Sequence, residues 1–424
     1  MGTGAITILF HSFPYGTNNL ALQSVALAFL ILNLIFFTVI TTLTILRYVL
    51  FRGMWMAMLR HPTQSQFLGC APMGFATVII SATGIVHEYF NWGGRAFVYV
   101  LWALWWADVV VAVAIFFGQL HIMFTRQTHD LSRMTMVWLL PVVTIIVVAS
   151  TGGVVAQALI PIALSSPSPF IASHIYLTLA ICMMLVTMGI TFALAVITIY
   201  LLRLAVYKLP GGLSIFSVFL PLGPLGQAGF CFLILGQVSS KVFPVPYLPV
   251  SNTSGSDASN INVFTNVNSS YVIYAVAWLI SFTLWCLATA WVTFGFGALG
   301  DVLVLMREWK RLPFKVTFWG MIFPNGVYAN LTIQLSNTLD SHILRVWGSI
   351  YAVWTLLLWL FAVLNTMRTL KNGSIYEELC VAVEREHGGD GRGSAETRSE
   401  ETVKRQSGSV RMELEEEMDR DVCP

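Results

Sequence analysis

Charge is what this sequence has least of. Of its 424 residues only 10% are Asp, Glu, Lys or Arg, against about 25% in a typical soluble domain. So few charges cannot cover a water-facing surface of this size. That excludes an ordinary soluble enzyme, a nucleic-acid partner and an intrinsically disordered chain. Cysteine is also sparse. Cys70, Cys182, Cys231 and Cys286 sit in apolar runs and Cys380 and Cys423 in the C-terminal stretch, with no CxxC spacing and no neighbouring histidines at ligand spacing. Neither a disulfide framework nor a zinc site is expected. No nucleophile motif, phosphate loop or metal cluster is visible, so no enzymatic chemistry and no cofactor are expected. The first residues lack the basic stretch of a cleavable signal peptide.

Apolar residues are abundant instead. They make up 56% of the chain, with a mean hydropathy of +0.74. A helix needs about 20 apolar residues to cross a bilayer. Runs of that length occur at about 21–50, 66–86, 97–125, 135–160, 172–207, 213–238, 271–306, 316–337 and 343–370, after a short one at 1–13. The short run is half a span by length. The class is a polytopic all-α membrane protein whose surroundings are lipid.

Charge sets the orientation. Lys and Arg collect on the cytoplasmic side. With the first segment running outward, the cytoplasmic loops hold Arg47, Arg52, Arg60, Arg126, Arg133, Arg203, Lys208, Arg307, Lys310, Arg311, Lys315, Arg368 and Lys371, whereas the other side has Arg95, Lys241 and Arg345. That bias requires an even number of spans, so the short run counts and the total is ten. The polar loop after Lys241 then lies outside, where its sequons at Asn252 and Asn268 are glycosylation candidates. Residues 1–371 carry a net charge of +9 and residues 372–424 a net −7. The second region, rich in Gly, Ser and acids, is expected to be a disordered cytoplasmic tail.

Proline and glycine alternate between segments. The even segments are smooth. The odd ones are interrupted, by Gly69, Pro72 and Gly74, by Pro141 and Gly152-Gly153, by Pro221, Gly223, Pro224 and Gly226, and by Gly320, Pro324 and Gly326. The spacing describes a helical hairpin repeated five times. Proline inside a helix frees backbone groups, which lipid cannot satisfy. The interrupted helices should therefore form an inner ring, kinked at Pro72, Pro141, Pro224 and Pro324, around a central pore, with the smooth helices outside in a quasi-five-fold arrangement.

The odd segments have no charged residue at their centres. Their polar groups include Thr77, Thr151, Gln227, Asn325 and Asn330, all pore-lining candidates. An uncharged path with freed N–H groups suits a small monovalent anion. Two acids fall in even segments, Asp108 and Asp301. Both are expected to be buried and to serve proton coupling or a structural pairing.

The stretches HPTQSQFLGCAPMGFATVI (61–79), VYVLWALWWADVVV (98–111), MVWLLPVVTIIVVASTGG (136–153), LPLGPLGQAGF (220–230) and WGMIFPNGVYANLTIQL (319–335) resemble the fungal plasma-membrane sulfite efflux pumps. These belong to the wider tellurite-resistance and dicarboxylate transporter group, which also holds the slow-type anion channels of plant guard cells. The similarity runs from Met1 to about Lys371. It implies ten helices in five hairpins, a homotrimer, and sulfite or bisulfite as the exported anion. Malate-type dicarboxylate transport and a passive gated anion channel are the alternatives. It also implies a phenylalanine across the pore before the kink proline of the ninth helix, which is Phe323 here. Phe75 and Phe230 hold similar places after the breaks of the third and seventh segments. Relatives carry apolar residues ahead of the MGTG-like motif at which Met1 opens, so the first helix is expected to lack its cytoplasmic half. Where relatives are expected to have a bulky aliphatic residue, Asn325 follows Pro324.

Overall fold

A computed structural model describes residues 1–16, 19–51, 53–165, 169–210, 212–243, 267–301 and 314–371. All regular structure among them is helical. Eleven α-helices follow in chain order: α1 (Gly2–His11), α2 (Leu20–Leu50), α3 (Met54–Arg60), α4 (Cys70–Ser81), α5 (Gly94–Thr125), α6 (Leu140–Ser165), α7 (Pro169–Tyr207), α8 (Leu222–Val242), α9 (Val267–Gly300), α10 (Ile322–Leu339) and α11 (His342–Lys371). Eight helical stretches are long and apolar enough to cross a membrane. The short α1 and the 18-residue α10 stand beside those eight. Asn252 and the 372–424 region lie outside the described residues, and Asn268 falls in the first turn of α9.

Burial divides the helices into two sets. Buried residues make up 94% of the apolar stretch in Met136–Ser165 and in Ser214–Val242, against 17% in Leu20–Leu50 and 22% in Ser270–Gly300. Hence α6 and α8 are interior, as is most of α4, while α2, α5, α7, α9 and α11 show a broad bare face. That face is apolar: Ile40, Leu43, Val110, Phe117, Leu202, Phe294 and Leu357 are all exposed. A soluble protein does not leave apolar area of that extent in water. The chain is a multi-pass membrane protein whose outer helices present this face to lipid.

The buried helices contact one another in a closed cycle: α1 packs on α4, α4 on α6, α6 on α8, α8 on α10, and α10 on α1. Each contact is close because a glycine sits in it. A Cβ on Gly4 would meet Thr77 of α4, one on Gly69 would meet Leu140 and Thr144 of α6, and one on Gly153 would meet Ile234 of α8. At Gly226 it would lie 3.1 Å from the Tyr328 backbone of α10, and at Gly326 2.8 Å from Ala5 of α1. Helices gain little by hydrophobic association in lipid, so van der Waals contact at small residues carries the packing.

The four prolines expected to kink the inner helices stand where α-helical winding begins. Pro72, Pro224 and Pro324 are the third residues of α4, α8 and α10, and Pro141 is the second of α6. First-turn N–H groups have no intrahelical partner, so a proline there sacrifices no bond. The segment before each start is wound as a 3-10 helix, at Ser65–Gly69, Met136–Leu139, Gly212–Phe219 and Val316–Met321. The tighter 3-10 winding hands over to α at each proline. The proline inside a helix is Pro161, past the point where the apolar run was expected to end.

Side chains tie the linkers at one end of the bundle. The Arg203 guanidinium is buried and donates to the Lys208 carbonyl (2.6 Å) and the Ser132 carbonyl (3.0 Å). Ser65 Oγ accepts from Gln119 Nε2 (2.7 Å) and Gln127 Nε2 (2.9 Å). One of the basic residues counted for orientation, Arg203, is thus also part of the packing.

Candidate functional site

Where the five buried helices face one another they leave a narrow cavity. Ala5 and Ile8 come from α1, Thr77 and Ile80 from α4, Val147 from α6, Gln227 and Phe230 from α8, and Phe323, Gly326, Val327 and Asn330 from α10. In α1, α4 and α8 the paired lining residues are three apart, and in α10 Phe323, Val327 and Asn330 fall at four and seven with Gly326 beside them, the spacing of one helical face. The cavity is about 10 Å³, at the lower limit for one water. Phe323 and Phe230 are each 8% exposed, and their rings fill space that smaller side chains would leave open. The lining carries no charged residue.

The polar groups of the lining are held from behind. Thr77 Oγ1 donates to the Gly74 carbonyl (2.8 Å) and accepts from Asn33 Nδ2 of α2 (3.3 Å). Gln227 Nε2 donates to Ser150 Oγ of α6. Asn330 Oδ1 accepts from Ser12 Oγ (3.2 Å), just past the end of α1. Each therefore has a fixed orientation in an otherwise apolar site, and each has a bond to another element: Thr77 to Asn33, Gln227 to Ser150 and Asn330 to Ser12.

Five of the lining candidates meet here: Thr77, Gln227, Phe230, Phe323 and Asn330. Three others are not among its lining residues. Asn325 is fully buried, donates to the Met321 carbonyl (2.6 Å) and accepts from Tyr351 Oη of α11 (2.6 Å). It is a strut between α10 and α11, because Tyr351 offers a partner that the apolar cavity does not. Phe75 stacks on Phe37 of α2 with ring centroids 5.6 Å apart, so it packs against an outer helix. Thr151 returns its hydroxyl to the Val147 carbonyl (2.9 Å), one turn back in α6.

The two acids part company. Asp108 is 2% exposed on the buried stripe of α5, three residues after Trp105, whose Nε1 donates to the Val148 carbonyl of α6. Its Oδ2 has no hydrogen-bond partner among the described residues. Asp301 is not buried as expected. It lies one residue beyond α9 and is exposed, where an unpaired carboxylate is cheapest to keep.

Sequence reasoning missed Ala5, Ile8, Ile80, Val147, Gly326 and Val327. Their residue types carry no functional signal. Distance from the recurrent prolines does in three helices: Val147, Phe230 and Asn330 each stand six residues after Pro141, Pro224 and Pro324.

Five buried helices in a closed cycle of contacts, with an uncharged cavity between them and apolar helices bare on one face, are the make-up of a polytopic transporter or channel. The comparisons give the family. The voltage-dependent anion channel family (SLAC1) matches residues 1–367, and the chain belongs to it. Among its relatives, the sulfite efflux pump SSU1 of Arthroderma otae is 31% identical over 362 residues, 85% of each chain. The sulfite efflux pump SSU1 of Saccharomyces cerevisiae is 26% identical, over 83% of this chain and 81% of that one. The malic acid transport protein of Schizosaccharomyces pombe is 24% identical, over 85% of this chain and 75% of its own length.

Proposed function

We propose that the chain exports sulfite or bisulfite along the axis of its five buried helices. The observation that carries this reading is the cavity to which every buried helix contributes and which Phe323 and Phe230 line. An aromatic ring across an apolar constriction keeps it dry and blocks ion passage until it moves. Thr77, Gln227 and Asn330 are the neutral polar groups that a dehydrating anion would meet there. The name shared by the more similar relatives supports sulfite. The uncharged lining favours a small anion over a dicarboxylate, whose two charges call for a cation.

In this reading the chain crosses the plasma membrane ten times as five quasi-equivalent hairpins. The contact cycle and the five glycines support that arrangement. The arginine and lysine bias puts the C-terminal region in the cytoplasm, and the assembly is a homotrimer, as the family resemblance implies. The first turns at Pro72, Pro141, Pro224 and Pro324 aim the inner helices at the axis. Asp108 is the candidate for proton coupling, because its Oδ2 is buried without a partner in a protein where most buried polar atoms have one.

The test is expression in sulfite-sensitive yeast, with anion currents and labelled-sulfite efflux measured in parallel. Rescue with sulfite efflux is the expected outcome. Measurable malate uptake with no rescue overturns it in favour of the malate reading. Phe323→Ala should raise the basal anion conductance by about tenfold or more if the ring occludes the path. Unchanged conductance sinks the gate. Flux that follows an imposed pH gradient separates a coupled carrier from a passive channel, and Asp108→Asn should abolish that dependence.

A further inference from the structure

A second cavity lies at the C-terminal ends of α4, α6 and α8, and it is far larger than the axial one, at about 520 Å³. Its walls carry the charge that the axis lacks. Arg95 of α5 and Lys241 of α8 bring two positive charges, and Glu88 brings one negative. Lys241 interacts electrostatically with Glu88. His87 and Gln157 complete the polar wall, and each holds a buried polar atom without a hydrogen-bond partner among the described residues. Lys241 follows the lining residue Phe230 by eleven residues on the same helix, about 16 Å at 1.5 Å per residue.

The local backbone is built for this wall. From Ala82 to Tyr89 the chain leaves α-helical winding for a π-helix, and the Phe90 N–H reaches back five residues to the Ile85 carbonyl (3.1 Å). The wider winding turns successive side chains by a smaller angle, which carries His87 and Glu88 together into the cleft. Such π segments are rare and recur at functional sites. Gly84, within the segment, lies so close to His11 of α1 that a Cβ would stand 2.8 Å from Nε2, so the π turn is also pinned to the ring.

We propose that this cleft is an anion site at the outer end of the path, tuned to a single negative charge. The proposal rests on the export reading above, which sets the direction of travel. Arg95 and Lys241 draw the anion out of the dry segment. Glu88 cancels one of those charges, so that with histidine neutral the walls sum to +1. A singly charged oxyanion such as bisulfite is balanced there and released. A dianion would find half the charge it needs and meet repulsion from Glu88. A site that both admits and releases its ion must bind it weakly, and an acidic residue set against two basic ones achieves this.

The test uses the full chain reconstituted in liposomes, with initial rates of labelled sulfite and labelled malate. Lys241→Gln should raise the apparent KM for sulfite by about three- to tenfold at low salt, an effect that shrinks at high ionic strength. Lys241→Arg should restore it. Glu88→Gln should lower the preference for sulfite over malate by about the same factor, because the wall then loses the carboxylate that repels a second negative charge. Glu88, Arg95 and Lys241 are all exposed, so these substitutions leave folding intact, checked by the melting temperature. If the parent protein moves no sulfite, the export reading fails. If it moves sulfite while Glu88→Gln and Lys241→Gln keep the parent's KM and preference, the export reading stands and the cleft proposal is overturned.

Discussion

The buried helices and the bare ones are made of nearly the same apolar residues. Leu20–Leu50, mostly bare, and Met136–Ser165, almost wholly buried, are about equally hydrophobic. In water that would be contradictory, since apolar area decides what is inside. In lipid it decides nothing, because a tail is as apolar as leucine. The difference between the two sets is backbone access. The inner helices carry a glycine at each point where they touch one another, while the outer ones keep glycines such as Gly189 and Gly348 for their inner side and turn bulk outward. Polar pairs such as Asn33 with Thr77 and Tyr351 with Asn325 then dock outer helices onto inner ones.

The sharpest way to break this contrast is to put a side chain where two inner backbones meet. Gly226→Val would place Cβ 3.1 Å from the backbone of α10, with branches closer still, and backbone cannot swing aside. Overpacking of this kind costs about 1–3 kcal/mol, sometimes more. The purified protein should melt several degrees lower and move less anion. A melting temperature equal to the parent's would mean that the ring is not held by glycine contacts.

A smaller loss is expected between the rings. Tyr351→Phe removes the hydroxyl that Asn325 Oδ1 accepts from, inside a fully buried site. An acceptor left unpaired in the interior costs about 1–3 kcal/mol, but interhelical bonds in membranes average nearer 0.6, so we expect about 1 kcal/mol. Because Asn325 faces α11 and not the cavity, stability should fall while the conductance of the Phe323→Ala background stays the same. Altered conductance without lost stability would return Asn325 to the path.

The alternation of smooth and interrupted segments was legible in the sequence because glycine and proline change backbone geometry wherever they occur. The place of each interruption was not. Pro72, Pro141, Pro224 and Pro324 read as mid-helix breaks only if the helix is assumed to start with its apolar run, whereas 3-10 turns occupy the first part of each run. Phe323, Phe230, Thr77, Gln227 and Asn330 could be picked out by type and position. Asn325, Phe75 and Thr151 could not be excluded that way, since whether a residue turns to the axis or to a neighbour depends on whether the neighbour offers a partner. Tyr351 and Phe37 lie far away in sequence. Asp301 read as buried because the apolar run continues past it, although the described helix ends one residue before it.

The smallest effect is expected on the bare side, and it controls for the rest. Gly118 lies in α5, an outer helix, and a Cβ there would meet nothing within 4 Å. Its neighbour Phe117 is exposed, and nothing presses on the α5 backbone at that point. Gly118→Ala therefore adds a methyl group to open space and removes the conformational freedom of glycine. In water that exchange favours a helix by about 1 kcal/mol. In lipid, where the helix is already held by its own hydrogen bonds, the gain should be smaller. We expect a melting temperature equal to the parent's or slightly above it, with unchanged sulfite flux. Gly226→Val and Gly118→Ala should thus differ in sign or by several degrees, although both replace a glycine in an apolar helix. Equal losses at the two sites would show that glycine is needed for helix flexibility throughout the molecule. The distinction between an inner set packed on glycine and an outer set facing lipid would then fall.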